Sequence, residues 1–445
     1  MQHESSRPAS TACRPARADR TRPLVRTGAL VLGLAAAGAA HAFEYGPFTL
    51  TGFAKSEIGW GSNMCDLCQR EPGEDRHRKW ADDLVYGKKF GADDTNGTLI
   101  QPNIGAKFDL PRGFKLSGLW SQRYRDGKPD FEGVLYELNA TLQHEDYGTL
   151  QIGKFPSRTW AMADYPYGTD IGMSPAFSDS GAGYGLLTSA VRYTSRIFDV
   201  AEGDMVLEVT WDQGDTAFKR NKPMLLEYWL HYGRGPLSLE GMIQQSENGR
   251  PSAFSHGPFT ALTSDPADDG KLGGSSQSIV MLLAKYQLNS RIELSGGIRL
   301  NRWSGAYAVQ TSGLLWNAMF NVDWGGFDAN GVPNPGYAAR TKDVMLGMRY
   351  RMDKWTASTG LTHLGRASTN NPSDRGQRNT ALFTSAGLNY NFGEGIQFYG
   401  SVNAVKYRQK GFAPLSMPGH SAFSNVDSRV ADRGNWLTLG ALYVF

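Results

Sequence analysis

Trp436-Leu-Thr-Leu-Gly-Ala-Leu-Tyr-Val-Phe445 ends the sequence, and its alternation decides the fold. Leu437, Leu439, Ala441, Tyr443 and Phe445 share one face of an extended strand, and Thr438, Gly440, Leu442 and Val444 share the other. The same period of two returns upstream. Leu226, Tyr228, Leu230 and Tyr232 alternate with Glu227, Trp229, His231 and Gly233. Val280, Leu282, Ala284 and Tyr286 oppose Lys285 and Gln287, while Val344, Leu346, Met348 and Tyr350 oppose Gly347, Arg349 and Arg351. Helical periodicity is scarce outside the first 42 residues.

Sixteen such segments are predicted, near 48–60, 98–109, 114–124, 133–143, 148–155, 186–195, 204–212, 223–234, 236–245, 276–288, 291–302, 342–351, 354–365, 380–391, 396–406 and 435–445. Most approach the about 9–11 residues that a tilted strand needs to cross a bilayer. Pro102 has no N–H for a ladder, so a bulge or a later strand start is expected there. Eight long polar, Gly-rich connections (61–97, 125–132, 156–185, 213–222, 246–275, 303–341, 366–379 and 407–434) alternate strictly with seven short ones. An up-and-down barrel with turns at one rim and loops at the other produces this rhythm. A secreted sandwich or propeller has no reason for such asymmetry. The expected fold is all-β, a 16-stranded antiparallel transmembrane β-barrel.

Two faces give a physical check. A lipid-facing Lys or Arg at the bilayer midplane costs about 2–4 kcal/mol, so charges belong on the lumen side. Lys55, Glu57, Lys107, Asp109, Lys115, Arg123, Glu137, Arg192, Glu208, Glu227, Glu240, Lys285, Glu293, Arg299, Arg349 and Arg351 obey that parity. Lys154 does not, because it shares parity with Leu150 and Ile152, and a bulge at Gly153 is the expected remedy. Phe48, Trp60, Trp120, Trp211, Tyr232, Tyr350, Trp355 and Tyr443 stand near strand ends as interfacial girdles do.

Composition agrees once the leader is set aside. The 445 residues carry 46 Lys+Arg and 43 Asp+Glu, with 53 Gly, 19 Tyr, 11 Trp and 3 Cys. Residues 1–42 hold six arginines (Arg7, Arg14, Arg17, Arg20, Arg22 and Arg26), then an apolar stretch from Gly28 to Ala40 and a small-x-small site, Ala40-His41-Ala42. This pattern is a secretory signal peptide, with the barrel running from 43 to 445. Without its six Arg, one Glu and one Asp, the remainder has 40 basic and 41 acidic residues, a net charge of −1. The compositional case for nucleic-acid binding is thereby lost. Mean hydropathy of −0.41 and the lack of an 18-residue apolar run exclude a helical membrane protein.

In Phe48-Thr-Leu-Thr-Gly-Phe-Ala-Lys-Ser-Glu-Ile-Gly-Trp60, Tyr147-Gly-Thr-Leu-Gln-Ile-Gly-Lys154 and terminal Tyr443-Val-Phe445, the chain resembles the Gram-negative trimeric porin superfamily. The first stretch is similar to a porin first strand. The second is similar to the strand that leads into the constriction loop, and the third to the outer-membrane assembly signal, carried here by Tyr443 and Phe445. The Pro-Glu-Phe-Gly-Gly motif of enterobacterial constriction loops is absent from 156–185. The resemblance implies outer-membrane localisation in a Gram-negative bacterium, contact with outer-membrane lipid and a homotrimer, with Tyr124 to Gly133 as a latch onto a neighbour. It also implies that 156–185 folds into the lumen. Asp164, Asp170 and Asp179 of that loop, whose one basic residue is Arg158, then face a basic wall of Lys55, Lys107, Arg123, Lys154 and Arg192. Opposed charges of this kind set up a transverse field that tunes ion selectivity.

Cys65-Asp-Leu-Cys68 is the cysteine pair outside the leader. Gln69 follows where haem attachment needs His, no second C-x-x-C exists, and His77 adds one soft ligand at most. An oxidising periplasm favours a Cys65–Cys68 disulfide in the first long loop. Asp265, Asp268 and Asp269 lack EF-hand spacing and read as a solvated run. No nucleophile elbow, zincin motif or phosphate loop appears, and Ser121, His144 and Asp146 do not converge, so no enzyme, metal or cofactor is expected. The expected function is a porin passing small hydrophilic solutes and ions. A substrate-specific channel, with Trp229, Trp303, Trp316 and Trp324 stacking on solute rings, is the nearest alternative, and a non-conducting adhesin or structural barrel the next.

Overall fold

In the computed structural model, residues 43–62, 94–129, 135–162, 165–168, 171–173, 186–213, 224–247, 275–305, 336–366, 368–369, 378, 380–409 and 433–445 are described. Sixteen strands form the wall: β1 (Phe48–Ser62), β2 (Asp94–Asp109), β3 (Lys115–Ser121), β4 (Glu137–His144), β5 (Gly148–Pro156), β6 (Leu186–Thr194), β7 (Gly203–Asp212) and β8 (Met224–Arg234). They continue as β9 (Leu237–Glu247), β10 (Ser275–Gln287), β11 (Ile292–Gly305), β12 (Gly336–Met352), β13 (Trp355–Leu364), β14 (Ala381–Gly393), β15 (Ile396–Tyr407) and β16 (Arg433–Val444). Each pairs antiparallel with its chain neighbours, and β16 returns to β1 with Phe53 opposite Val444 and Ser62 opposite Asn435. The sheet is closed, so it presents no edge to the bilayer.

Exposure alternates along every long strand, which identifies the two faces. On β7, Leu207, Val209 and Trp211 are exposed while Glu208, Thr210 and Asp212 are buried. On β11, Leu294, Ile298 and Leu300 point outward, and Glu293, Ser295, Arg299 and Asn301 point inward. Phe48, Phe108, Tyr147, Tyr286, Trp355, Phe392 and Tyr443 are exposed at the short-turn rim, and Trp60 and Trp211 toward the other. These are the girdles at which amphipathic rings meet headgroups.

Local irregularities have local causes. Gln122 and Arg123 leave the ladder opposite Pro102, and pairing resumes at Tyr124, opposite Ile100, in the same register. The proline therefore interrupts β2 pairing without a bulge. Tyr124–Arg125 and Lys128–Pro129 form a small hairpin around Asp126-Gly127, both at positive φ (50° and 75°), as a primed turn demands. At the seam, Phe445 N–H donates to the Gly52 carbonyl and Gly52 N–H to the Phe445 carbonyl. A Cβ on Gly52 would lie 2.4 Å from the Gln101 carbonyl oxygen and 2.8 Å from the Phe445 ring. β12 starts at Gly336 rather than near 342, because its extension pairs with Ser368–Thr369 through residues that lack apolar alternation.

Candidate functional site

β5 ends at Pro156, and the chain turns onto the inner face of the barrel. Ser157 precedes one helical turn, Arg158–Ala161, in which Met162 N–H donates to the Arg158 carbonyl at 2.8 Å. That turn lies on a carboxylate pair from the wall. Arg158 Nε donates to Glu208 Oε1 at 2.6 Å, and Arg158 N–H donates to Glu227 Oε1 at 2.7 Å. Thr159 N–H and Oγ1 also donate to Glu227, to which Gln244 Nε2 adds a bond of 2.7 Å. Glu227 thus caps the two leading amides of the turn, where partial positive charge accumulates.

Arg192 on β6 completes the cluster. Its Nε stands 3.1 Å from Glu208 Oε1, its Nη2 3.7 Å from Glu227, and it donates to the Pro156 carbonyl at 3.0 Å. The two guanidiniums rest on aromatic faces, Arg158 on Trp229 (4.3 Å) and Arg192 on Phe155 (4.6 Å). Both carboxylates and both guanidiniums have side chains no more than 8% exposed. Such a cluster tolerates no missing member: stripping one partner from a buried pair costs about 3–5 kcal/mol.

From there the loop follows the wall strand by strand. The Tyr165 ring lies 5.0 Å from Lys285 Nζ on β10, and Tyr167 covers Arg349 on β12 at 4.8 Å while its hydroxyl donates to the Glu293 carbonyl on β11. Burial pushes both phenols above their ordinary range, with Glu240 and Glu293 adding to it at Tyr165, so both stay neutral. Met173 reaches Ser358 on β13, where the serine hydroxyl contacts the thioether at 3.8 Å. Gly172 then passes Gly387 on β14 and Tyr399 on β15. A Cβ on Gly387 would stand 2.0 Å from the Gly172 carbonyl oxygen, so the backbones meet only because that side chain is missing. Within 156–173 the described loop residues therefore touch the inner face from β6 to β15.

The expected basic wall does not form one group. Arg192 belongs to the buried cluster. Arg123 donates to Gln101 Oε1 at 2.8 Å and stacks on Tyr136 at 4.0 Å. Lys55 pairs with Glu57 at 3.2 Å and lies near the Tyr399 ring. Lys107 is exposed two residues from the end of β2, at the short-turn rim. Lys154 corrects the expectation of an inward bulge. It stays opposite Leu138, which faces outward, and its Nζ donates to the Leu135 carbonyl. The irregularity between Gly153 and Phe155 places its extra residue in β6, leaving Lys154 on its original face.

Among the described residues, the charged loop–wall pairs run through one loop cation. The loop contributes a cation, Arg158, and the wall contributes the carboxylates Glu208 and Glu227. Inward parity already singled these carboxylates out; their clustering on consecutive strands was the signal for a loop seat. Asp164, Asp170 and Asp179 lie outside the described residues, as do Cys65, Cys68, His77, Asp265, Asp268, Asp269, Trp316, Trp324 and the leader 1–42. The Trp303 side chain is likewise outside them. Trp229 is 5% exposed beneath Arg158 and offers no open stacking face. Among the described residues, no cluster of three His, Cys, Asp or Glu is placed to hold a metal ion.

The architecture is shared with solved proteins. The chain is similar to an anion-selective porin from Comamonas acidovorans (TM-score 0.57, 11% identity, covering 89% of this chain and 99% of that one). It is also similar to the outer-membrane protein OmpT of Vibrio cholerae (TM-score 0.53, 12% identity, 91% and 100% covered), and to a trimer form of OmpT (0.54, 12%, 89% and 99%). At such identities the likeness establishes the fold. No curated protein matches the sequence. The family model of Gram-negative porins matches residues 28–410, and with that match over most of its length the chain belongs to the Gram-negative porin family, as an outer-membrane porin.

Proposed function

We propose that this porin passes small hydrophilic solutes and ions by passive diffusion, with no catalytic step and no cofactor. The observation that carries this reading is the course of 156–173 inside a closed barrel, held against the wall by buried ion pairs rather than left at the rim. A loop so fixed narrows the passage at a constant radius, and charged side chains around it set ion preference. In this reading Lys55, Lys107 and Arg123 are the basic contributors and Asp164, Asp170 and Asp179 the acidic ones on the loop's 156–185 span, while Arg192 anchors the loop. We extend the proposal to a homotrimer, in keeping with the trimer form reported for the Vibrio protein, and to removal of the leader near Ala42.

Reconstituted into liposomes, the protein is expected to admit sugars with a smooth decline in rate as size increases. A single sugar entering far faster than others of its size would instead mark a substrate-specific channel. Absence of any conductance in planar bilayers would leave a structural barrel.

A further inference from the structure

The outward face of β11 to β16 carries cations near the long-loop rim. Arg302 follows Ile298 and Leu300 in outward parity on β11, and Lys342 and Arg340 continue the face of Leu346 on β12. Lys406 shares the face of Val402 on β15, and Arg433 that of Leu437 on β16. All five are exposed. Each stands about ten residues from the short-turn end of its strand, a climb of about 25 Å at about 3.3 Å per residue and about 40° of tilt, which is the height of the apolar band. The cations therefore emerge at headgroup level on the long-loop side, the cell exterior. Toward the same rim β7 to β9 present Trp211, Leu226, Gln245 and Glu247, with no cation among them.

Their register sets like charges against each other. Arg302 lies directly opposite Arg340, and Lys406 directly opposite Arg433. Facing residues of an antiparallel pair stand about 4.5–5.5 Å apart at Cα, and like charges so placed repel. The strands on either side bring no relief, since Ser278 and Ser368 flank the first pair and Leu382 adjoins Lys406. Among the described residues of β10 to β16 no carboxylate faces outward; Glu293 and Asp343 turn to the lumen. A multivalent anion between facing cations reverses the sign of the contact, and guanidinium forks match phosphate oxygens two at a time.

We propose that these cations bind the phosphate groups of outer-leaflet lipid. One phosphate bridges Arg302 and Arg340 with Lys342 beside it, and a second bridges Lys406 and Arg433. The acyl chains of the same lipid lie on the exposed apolar residues below, Ile298 and Leu300 at the first pair, Val402 and Leu437 at the second. Height and apolar floor together select a lipid headgroup over free phosphate, which has the charge but nothing to lay on the wall.

Native mass spectrometry of the detergent-solubilised full chain, titrated with diphosphorylated lipid A, reads the site without transport. Retained lipid is expected, with the dephosphorylated glycolipid held about tenfold or more weakly, as for loss of charge-assisted contacts. Inorganic phosphate at the same concentration should not displace it. Arg340→Gln and Lys406→Gln, both at exposed wall positions, should each weaken retention, and the double variant by about tenfold or more. Lys354→Met, in a turn at the opposite rim, should leave it unchanged. Unfolding supplies a second reading. Without lipid, Arg340→Gln should match or exceed the wild-type midpoint, because it removes a like-charge contact, and lipid A should raise the wild-type midpoint more than the variant's. The proposal is overturned by equal retention of the two glycolipids, or by displacement with inorganic phosphate, which marks a plain anion site. Retention that survives the double substitution or falls equally in Lys354→Met, or equal stabilisation of Arg340→Gln and wild type by lipid A, overturns it too.

Discussion

On β6 to β8, Arg192, Glu208 and Glu227 are almost sealed from solvent and bonded to Arg158 and its neighbours in the loop. On β1 to β3, Lys55 keeps a partner on its own strand, Arg123 leans on Gln101 and Tyr136, and Lys107 stands free at the rim. The residue types are the same and the parity is the same. What separates the two sectors is the set of ion pairs and hydrogen bonds that Pro156 to Thr159 make to one of them. Under the loop, charge is desolvated and becomes structural, since a buried ion is tolerable only when fully paired. In the other sector the Lys55–Glu57 pair is also withdrawn, at 11% and 5% exposed, and Lys107 at the rim is the charge that stays hydrated.

The contrast can be broken most forcefully at Glu208. Replacing it with Ala leaves Arg158 and Arg192 buried with a partner missing, and a loss of about 3–5 kcal/mol is expected as a lower guanidinium midpoint. An unchanged midpoint would mean the cluster carries no weight. Gly387→Val comes next. Its side chain meets the Gly172 carbonyl, so overpacking of about 1–3 kcal/mol is expected together with an altered single-channel conductance as the loop lifts. Conductance identical to wild type would show that the loop's course does not set the passage.

Arg123→Gln and Arg192→Gln compare the two sectors directly. The first should lower stability by about 0.5–2 kcal/mol through its lost stacking, and shift the reversal potential in a salt gradient toward cation preference. The second should behave like Glu208→Ala, with a fall in midpoint as its main signature. Lys107→Gln is expected to give the smallest effect, within about 0.5 kcal/mol of wild type by the same unfolding measurement.

How far these differences could be read beforehand depends on the residue. Glu227 was recognisable as inward from its alternation with Leu226 and Tyr228. Nothing local told that its carboxylate caps Arg158 and Thr159, because those residues are 69 and 68 positions away. Lys154 shows the converse. Its parity marked it as outward, and the proposed bulge was an unnecessary repair, since a lysine near a strand end reaches a loop carbonyl along its own flexible stem. Pro102 was legible as a ladder defect, whereas its form, an interruption without a register shift, depended on how β3 ends.

The sequence by itself determined the number of strands, their order, their two faces and the rim to which each connection belongs. These follow from period-two alternation and from turn chemistry, which are properties of neighbouring residues. Only the tertiary structure decided which inward charges are buried and which face the lumen. For Arg192, Glu208 and Glu227, burial comes with the path of 156–173, which side chains and a glycine gap from distant strands select. Arg299 and Asp343, both unexposed, instead pair with each other across β11 and β12. Burial converts Glu208 from a pore charge into an anchor. Arg351, 42% exposed near the end of β12, keeps its charge open to solvent.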